Sequence, residues 1–211
     1  EGDAQMEKSD YVAAQRAYRK ALEIALNPKN AATVAAVERI ELLVNWAGSH
    51  CQHADDLKTG AIRPEVDAVS PSRRDDAVAN AVTYHLACAA QGYHEASLLL
   101  AQVPGASDAG GCAISEAVLS HLGYAAHRLG HHDAALVVLR EAERLAKLGD
   151  GTGLNPDAAK DLVSARRAVA AQDKERSDVA HESLKLRCWA IAITNVSSID
   201  EAQSIVARTK T

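Results

Sequence analysis

Clusters of glycine and proline divide the chain into segments in which apolar residues recur at three- and four-residue spacing. The breaks lie at Asn27-Pro28, from Gly60 to Pro71, from Pro104 to Gly111 and from Gly149 to Pro156. This spacing places apolar side chains on one face of an α-helix. It predicts amphipathic helices at about 10–27, 31–53, 75–91, 93–103, 113–129, 131–147, 156–175, 180–195 and 199–210.

The residue types also favour helices. Of 211 residues, 43 are alanine and 20 are leucine, phenylalanine is absent, and aromatic residues make up 3%. Alanine and leucine lead the helix-propensity scale, whereas strands are enriched in aromatic and β-branched residues. We therefore predict an all-α fold and exclude an all-β fold. No apolar run approaches the roughly 20 residues that cross a bilayer, so no membrane span is expected.

The charge balance argues against a protein that binds nucleic acid. The 23 basic and 28 acidic residues give a net charge of −5, without the basic stripe that follows a phosphate backbone. Between positions 77 and 139 the only basic residue is Arg128, accompanied by four acidic residues. This depletion of charge fits either the packed centre of a domain or a surface that a partner covers.

A spaced set of small and large residues recurs along the chain. Its most complete copy consists of Leu119, Leu122, Gly123, Ala126, Ala135, Leu139 and Ala142. A C-terminal copy with the same spacing consists of Leu186, Trp189, Ala190, Ile193, Ala202 and Val206. Residues 2–28 supply half of a unit, and residues 91–96 supply a turn after a shortened helix.

This spacing resembles the tetratricopeptide repeat, a unit of two helices that spans about 34 residues. The resemblance implies a right-handed α-solenoid of antiparallel helical hairpins. We expect a single domain over 1–211, with irregular segments at 31–75 and 150–180 that depart from the repeat. Both ends cut through repeat units, so the sequence predicts part of a longer array, or self-association through uncapped ends.

The repeated residues are assigned to packing between paired helices. Gly123 and Ala190 are small enough to let two helices approach closely, and Gly123 is expected to face Ala135 across the turn. Alanine at position 123 should therefore be tolerated. The packing set is Leu119, Leu122, Gly123, Ala126, Ala135, Leu139, Trp189, Ala190 and Ala202.

The resemblance also implies a binding face. Members of this repeat family usually bind a peptide or a helix on the concave face formed by the first helix of each hairpin. Here that face comprises Ala117, Ser120, Tyr124, His127, Arg128, Leu184, Arg187 and Ile191. Some members hold a chaperone's C-terminal tail with a clamp of Lys, Asn and Arg, for which only Arg128 and Arg187 could serve in this chain.

No set of side chains in the sequence predicts catalysis or metal binding. His50 and His53 are three residues apart, as are His85 and Cys88, but neither pair belongs to a four-ligand zinc pattern. The glycine motifs of nucleotide-binding proteins and the serine-hydrolase elbow are missing from the sequence. We therefore expect no catalytic residue, no metal and no cofactor.

Three functions remain open. The preferred one is a non-enzymatic scaffold, a subunit of a larger assembly that binds a protein partner. The alternatives are a chaperone-tail adaptor and an RNA-binding helical-repeat protein, the latter disfavoured by the acidic balance. The four widely spaced cysteines favour reduced thiols and an intracellular location, with the cytoplasm preferred and an organelle left open.

Overall fold

A computed structural model describes residues 1–27, 34–62, 71–103, 109–149 and 153–173. Within these ranges the chain forms helices and no strand, which confirms the all-α prediction. The helices are α1 (Gly2–Met6), α2 (Tyr11–Ala25), α3 (Ala36–Thr59), α4 (Pro71–Leu100), α5 (Ala109–Arg128), α6 (His132–Gly149) and α7 (Pro156–Asp173). Among them, none combines the length and the apolar character that a membrane crossing requires.

The C-terminal repeat copy lies outside the described residues. This applies to the helices predicted at 180–195 and 199–210. The predicted binding-face residues Leu184, Arg187 and Ile191 and the predicted packing residues Trp189, Ala190 and Ala202 therefore lie outside the described residues.

Side-chain and glycine caps fix the helix ends where the sequence predicts them. Asp10 accepts a hydrogen bond from the backbone N–H of Ala13 at 3.1 Å and begins α2. The Asn155 side chain accepts from the backbone N–H of Ala158 at 2.9 Å and begins α7, directly before Pro156. These oxygens satisfy N–H groups that have no partner within the helix. Gly130, with φ of 84°, turns the chain from α5 into α6.

The chain divides into two compact units, residues 1–92 and 93–211, and the boundary falls within α4. In the first unit, α2 packs against both α1 and α3. The hydroxyl of Tyr18 on α2 donates a hydrogen bond to Asp3 of α1. The core of this unit also includes Leu43 and the thiol of Cys51, which are 2% and 8% exposed.

Helix α4 differs from the sequence prediction of two helices, 75–91 and 93–103, separated by a turn. It is continuous from Pro71 to Leu100. The turn was predicted at Gly92, but this glycine has another role: an added Cβ would come within 2.9 Å of both Ala47 Cβ and Trp46 Cε3. This glycine permits a close approach between α4 and α3 and does not end the helix, since glycine costs a helix only about 1 kcal/mol.

The second unit is built on α5, α6 and α7. Helix α6 packs against α5 and α7, and α7 also contacts α5. The thiol of Cys112 on α5 is buried, with 3% exposure. One hydrophobic cluster joins the three helices through Ala126, Ala135, Leu136, Leu139, Ala158, Leu162, Ala165 and Val169.

Gly123 is buried at the contact between α5 and α6, but its neighbour is not the one expected. An added Cβ would meet Cγ of Leu139 at 2.5 Å and Cδ2 at 2.6 Å, so the nearest side chain to Gly123 is Leu139, where Ala135 was expected. Leu139 is itself fully buried, with 0% exposure. The expectation that alanine is tolerated at position 123 is therefore wrong, because the branched part of a confined side chain would have to move.

We predict that the effect of Gly123→Ala on stability reverses sign with the residue at position 139. In the native background, overpacking of about 1–3 kcal/mol outweighs the roughly 1 kcal/mol that alanine gains in helix propensity, so the free energy of unfolding falls. In a Leu139→Ala background the added methyl group has room, and the same change should be neutral or stabilising. Urea denaturation of the four variants measures both effects, and an equal cost in both backgrounds would contradict the contact.

Candidate interaction site

The face predicted on α5 is only partly accessible. Ala117, Tyr124 and His127 are half-buried and Arg128 is exposed. Ser120, by contrast, is 4% exposed, and its hydroxyl donates to the Glu116 carboxylate at 2.8 Å. The prediction that Ser120 lies on an open face is therefore wrong. Both α6 and α7 pack on α5, so a wider arc of this helix is buried than a single partner helix would cover.

Tyr124 and Arg128 form a stacked pair at the C-terminal end of α5. They are one helical turn apart, and the guanidinium carbon of Arg128 lies 5.5 Å from the centroid of the Tyr124 ring. A cation over an aromatic face is stabilised by the ring's quadrupole. A positive charge in the last turn also interacts favourably with the helix dipole. The pair therefore presents an aromatic ring and a charged group in a defined relative orientation.

His127 links this pair to the two neighbouring helices. Its Nδ1 lies 2.9 Å from Nδ1 of His132 on α6, and its Nε2 lies 2.9 Å from the hydroxyl of Ser164 on α7. Burial, and then the positive charge of Arg128, lower the pKa of His127 below its usual value of 6.5. The imidazole is therefore neutral near pH 7 and can both donate and accept a hydrogen bond. We call Tyr124, His127, Arg128, His132 and Ser164 the α5 patch.

The sequence predicted neither of these two contacts of His127. Tyr124, His127 and Arg128 share a face by their spacing, but Ser164 lies 37 residues from His127 and no sequence motif connects them. The contact between His127 and His132 crosses the turn into α6, where the sequence showed only an unremarkable histidine pair at 131 and 132.

The contact between Ser164 and His127 has the distance of a nucleophile and its base, yet the surroundings do not fit acyl transfer. A serine hydrolase also needs backbone N–H groups directed at the oxyanion. Ser164 lies in the interior of α7, where each backbone N–H bonds to the carbonyl four residues earlier. The backbone N–H groups of α7 beside its hydroxyl are therefore already bonded, and the bonded side chains form a polar joint between α5, α6 and α7.

The first unit contains a second polar group, which we call the histidine cluster: His50 and His53 on α3 and His85 on α4. The Nδ1 atoms of His50 and His85 are 2.8 Å apart, and the rings of His53 and His85 stack with centroids 3.9 Å apart. In the sequence, His50 pairs by spacing with His53 and His85 with Cys88, and no motif connects the two pairs. The structure joins the pairs because α4 packs on α3, a contact that sequence spacing does not reveal.

Aromatic and amide groups enclose the histidine cluster. The Trp46 ring meets the His50 ring edge-on with centroids 4.7 Å apart, and Tyr11 stacks on His53 at 5.2 Å. The Gln15 side-chain nitrogen lies 3.2 Å from Nδ1 of His53. The cluster is thereby shielded from water on several sides.

This environment opposes protonation of the histidine cluster. Burial, together with the neighbouring histidines, lowers the pKa of His50 to about 3. Burial, and then His53, lower the pKa of His85 to about 4. Burial also lowers the pKa of His53, although the nearby Asp56 carboxylate acts in the opposite direction. All three imidazoles are therefore neutral at pH 7.

The histidine cluster does not have the geometry of a metal site. Within the part of the chain that the structure describes, no three His, Cys, Asp or Glu side chains are arranged to hold a metal ion. The nitrogens of His50 and His85 bond to each other and do not converge on a shared point, while His53 contributes a ring face.

Comparison with known proteins identifies no relative. The chain matches no protein-family model, no curated protein and no solved structure. The tetratricopeptide resemblance therefore rests on the spacing of residues in the sequence.

We predict that Arg128→Gln raises the pKa of His127 toward 6.5, because the change removes a positive charge that opposes protonation. The matched control is Arg128→Lys, which keeps the charge and should leave the pKa lower than in the Gln variant. Titration of the His127 imidazole by NMR measures both values. Equal pKa values in the two variants would show that Arg128 does not act on His127.

We also predict that the protein loses stability as the pH falls below 6.5. In the unfolded chain His50 and His85 take up protons near pH 6.5, whereas in the folded chain they do so only near pH 3 and 4. Stability is therefore complete above pH 6.5 and decreases toward those values. At pH 5.5 the free energy of unfolding should be lower than at pH 7.5 by on the order of 2 kcal/mol.

Urea denaturation at the two pH values measures this loss. His50→Phe with His85→Phe should remove the part that comes from these two residues and leave the part of His94, whose pKa burial also lowers to about 4. His131→Phe, a change at an exposed histidine, should leave the whole dependence intact. An undiminished pH dependence in the double variant would assign it to other groups.

Proposed function

We propose that this chain is a non-enzymatic interaction scaffold, a subunit of a larger assembly that binds a peptide or helix of a protein partner at the α5 patch. The proposal includes a right-handed solenoid of antiparallel hairpins of the tetratricopeptide kind. Two observations support it. The regular secondary structure of the described residues is helix, and α5 and α6 pack closely, with only three residues, 129–131, connecting them.

The stacked pair of Tyr124 and Arg128 is the observation on which this proposal chiefly depends. Tyrosine and arginine are among the residues that most often contribute the largest share of binding energy at protein interfaces. The ring orders the guanidinium before any partner binds, which lowers the entropy lost on association. The bonds from His127 to His132 and Ser164 hold the adjoining part of α5 in place.

The charge around the α5 patch indicates the chemistry of the partner. Arg128 is the only basic residue between positions 77 and 139. His127 adds no positive charge at pH 7 because its pKa is lowered. A single exposed guanidinium beside an aromatic ring suits a partner segment with one carboxylate next to an apolar or aromatic side chain.

We predict that Tyr124→Ala combined with Arg128→Ala weakens partner binding about thirty-fold or more, since truncating an anchor of this kind costs about 2 kcal/mol. The matched control is Arg140→Ala, which removes an exposed arginine of α6 outside the patch. Partners are those proteins that co-purify gently with both the native chain and the control, as quantified by mass spectrometry. Their affinities for all three chains are then measured directly.

The melting temperature separates binding from folding in this experiment. Arg128 is exposed and Tyr124 is half-buried, so the double variant should melt close to the native chain. Unchanged affinity in the folded double variant would refute the proposed site. Binding that requires the partner's free C-terminal carboxylate would establish the chaperone-tail adaptor instead of the scaffold.

A further inference from the structure

The contact between α3 and α4 depends on histidines, and these histidines have no role in the proposed function. His85 is the member of the histidine cluster on α4, and it contacts both His50 and His53 on α3. About two helical turns further along, Gly92 of α4 lies against Ala47 and Trp46 of α3. The stretch of α4 from His85 to Gly92 therefore meets α3 through the imidazole of His85 at one end and the close approach at Gly92 at the other.

We propose that the histidine cluster is a pH-sensitive switch in the first unit. With neutral imidazoles it holds α4, from His85 to Gly92, against α3, and on acidification it releases this stretch while the helices of the second unit stay folded. The device is independent of partner binding at the α5 patch.

The hydrogen bond between His50 and His85 sets the limit on protonation. It joins two Nδ1 atoms, so one ring must donate and the other must accept. If both rings were protonated, each Nδ1 would carry a hydrogen, and two positive charges would face each other with no acceptor between them. The contact therefore tolerates at most one proton added to the two neutral rings. A second added proton replaces the hydrogen bond with repulsion between two charged rings.

The groups that face the cluster cannot neutralise this second charge. From α2, Tyr11 and Gln15 face His53, and Arg19 acts on Tyr84 with a positive charge. From α4, Tyr84 faces His50 and His85 and is hydrogen-bonded to Cys88.

From α3, the carboxylate that favours protonation of a cluster member is Asp56, which acts on His53 and also accepts hydrogen bonds from Tyr11 and Gln52. The groups that act electrostatically on His50 are the other two histidines. A carboxylate therefore favours the charged form of His53, but none among the described residues does so for His50 or His85. The depressed pKa values of these two residues agree with this arrangement.

Hydrogen exchange monitored by mass spectrometry on the full chain tests the switch. After correction for the intrinsic pH dependence of exchange, amides of α4 up to Gly92 and of α3 from Trp46 to Thr59 should lose protection between pH 7.5 and pH 5.5. Two histidines that are released to a pKa near 6.5 each favour the open form about tenfold over this range, so the loss should lie between about tenfold and about a hundredfold. Amides of α6 should lose less protection, because the pKa of one buried histidine of the second unit, His94, is lowered to about 4, whereas the histidine cluster contributes both His50 and His85.

The key variant is His85→Gln, whose amide can hydrogen-bond to His50 but takes up no proton. It should reduce the acid-induced loss of protection in α3 and α4 to about tenfold or less, while His131→Gln, at an exposed histidine of the second unit, should behave like the native chain. His50→Gln tests the same bond from α3 and replaces His85→Gln if that variant does not fold.

Three results would overturn the proposal. The first is undiminished protection of α3 and α4 in the native chain at pH 5.5. The second is an equal loss of protection in α6, which would indicate unfolding of the whole chain. The third is a loss in the glutamine variants as large as in the native chain, which would assign the effect to groups other than the His50–His85 pair.

Discussion

The close contact between Gly123 and Leu139 determines how near α5 and α6 lie, and other features of the second unit follow from it. Because position 123 has no Cβ, the branched end of Leu139 occupies the space that a methyl group would fill. Leu139 is at the same time a member of the cluster that binds α7 through Leu162 and Ala165. The bonds from His127 to His132 and Ser164 span three helices, so they require the spacing that this contact sets.

Both units use neutral imidazoles as polar contacts between helices. A neutral imidazole supplies one donor and one acceptor, so it can connect two helices where a carboxylate or an ammonium group would need a compensating charge. In an alanine-rich chain without phenylalanine, histidine also provides flat rings for stacking, as His53 does against Tyr11 and His121 does against Tyr93. The cost of this arrangement is sensitivity to acid, which is greater in the more deeply buried histidine cluster.

The sequence predicted the starts of α2 and α7 well, but it ended α3 at 53 and not at Thr59, and it began α5 at 113 and not at Ala109. Asp10 and Pro156 mark the starts of α2 and α7, because capping is a local property of a few residues. The prediction failed at Gly92, because glycine serves both in turns and in close helix contacts, and sequence alone does not say which neighbour it meets. Only the packing against Trp46 and Ala47 distinguishes the two roles.

The site was less predictable than the helices. Helical spacing placed Tyr124, His127 and Arg128 on one face, but it could not show that Ser120 is buried. The contacts of His127 with Ser164 and of His50 with His85 join residues 37 and 35 positions apart. Such contacts arise from tertiary packing, for which a single sequence contains no periodic signal.

The positions of the cysteines have a practical consequence. Cys51 and Cys112 are both buried, and they belong to different units of the chain. A thiol at such a position reacts with an alkylating reagent only after the surrounding helices separate, and then as the thiolate. The alkylation rates of these two side chains therefore report separately on the opening of each unit, and peptide mapping reads both from one sample of the unaltered chain.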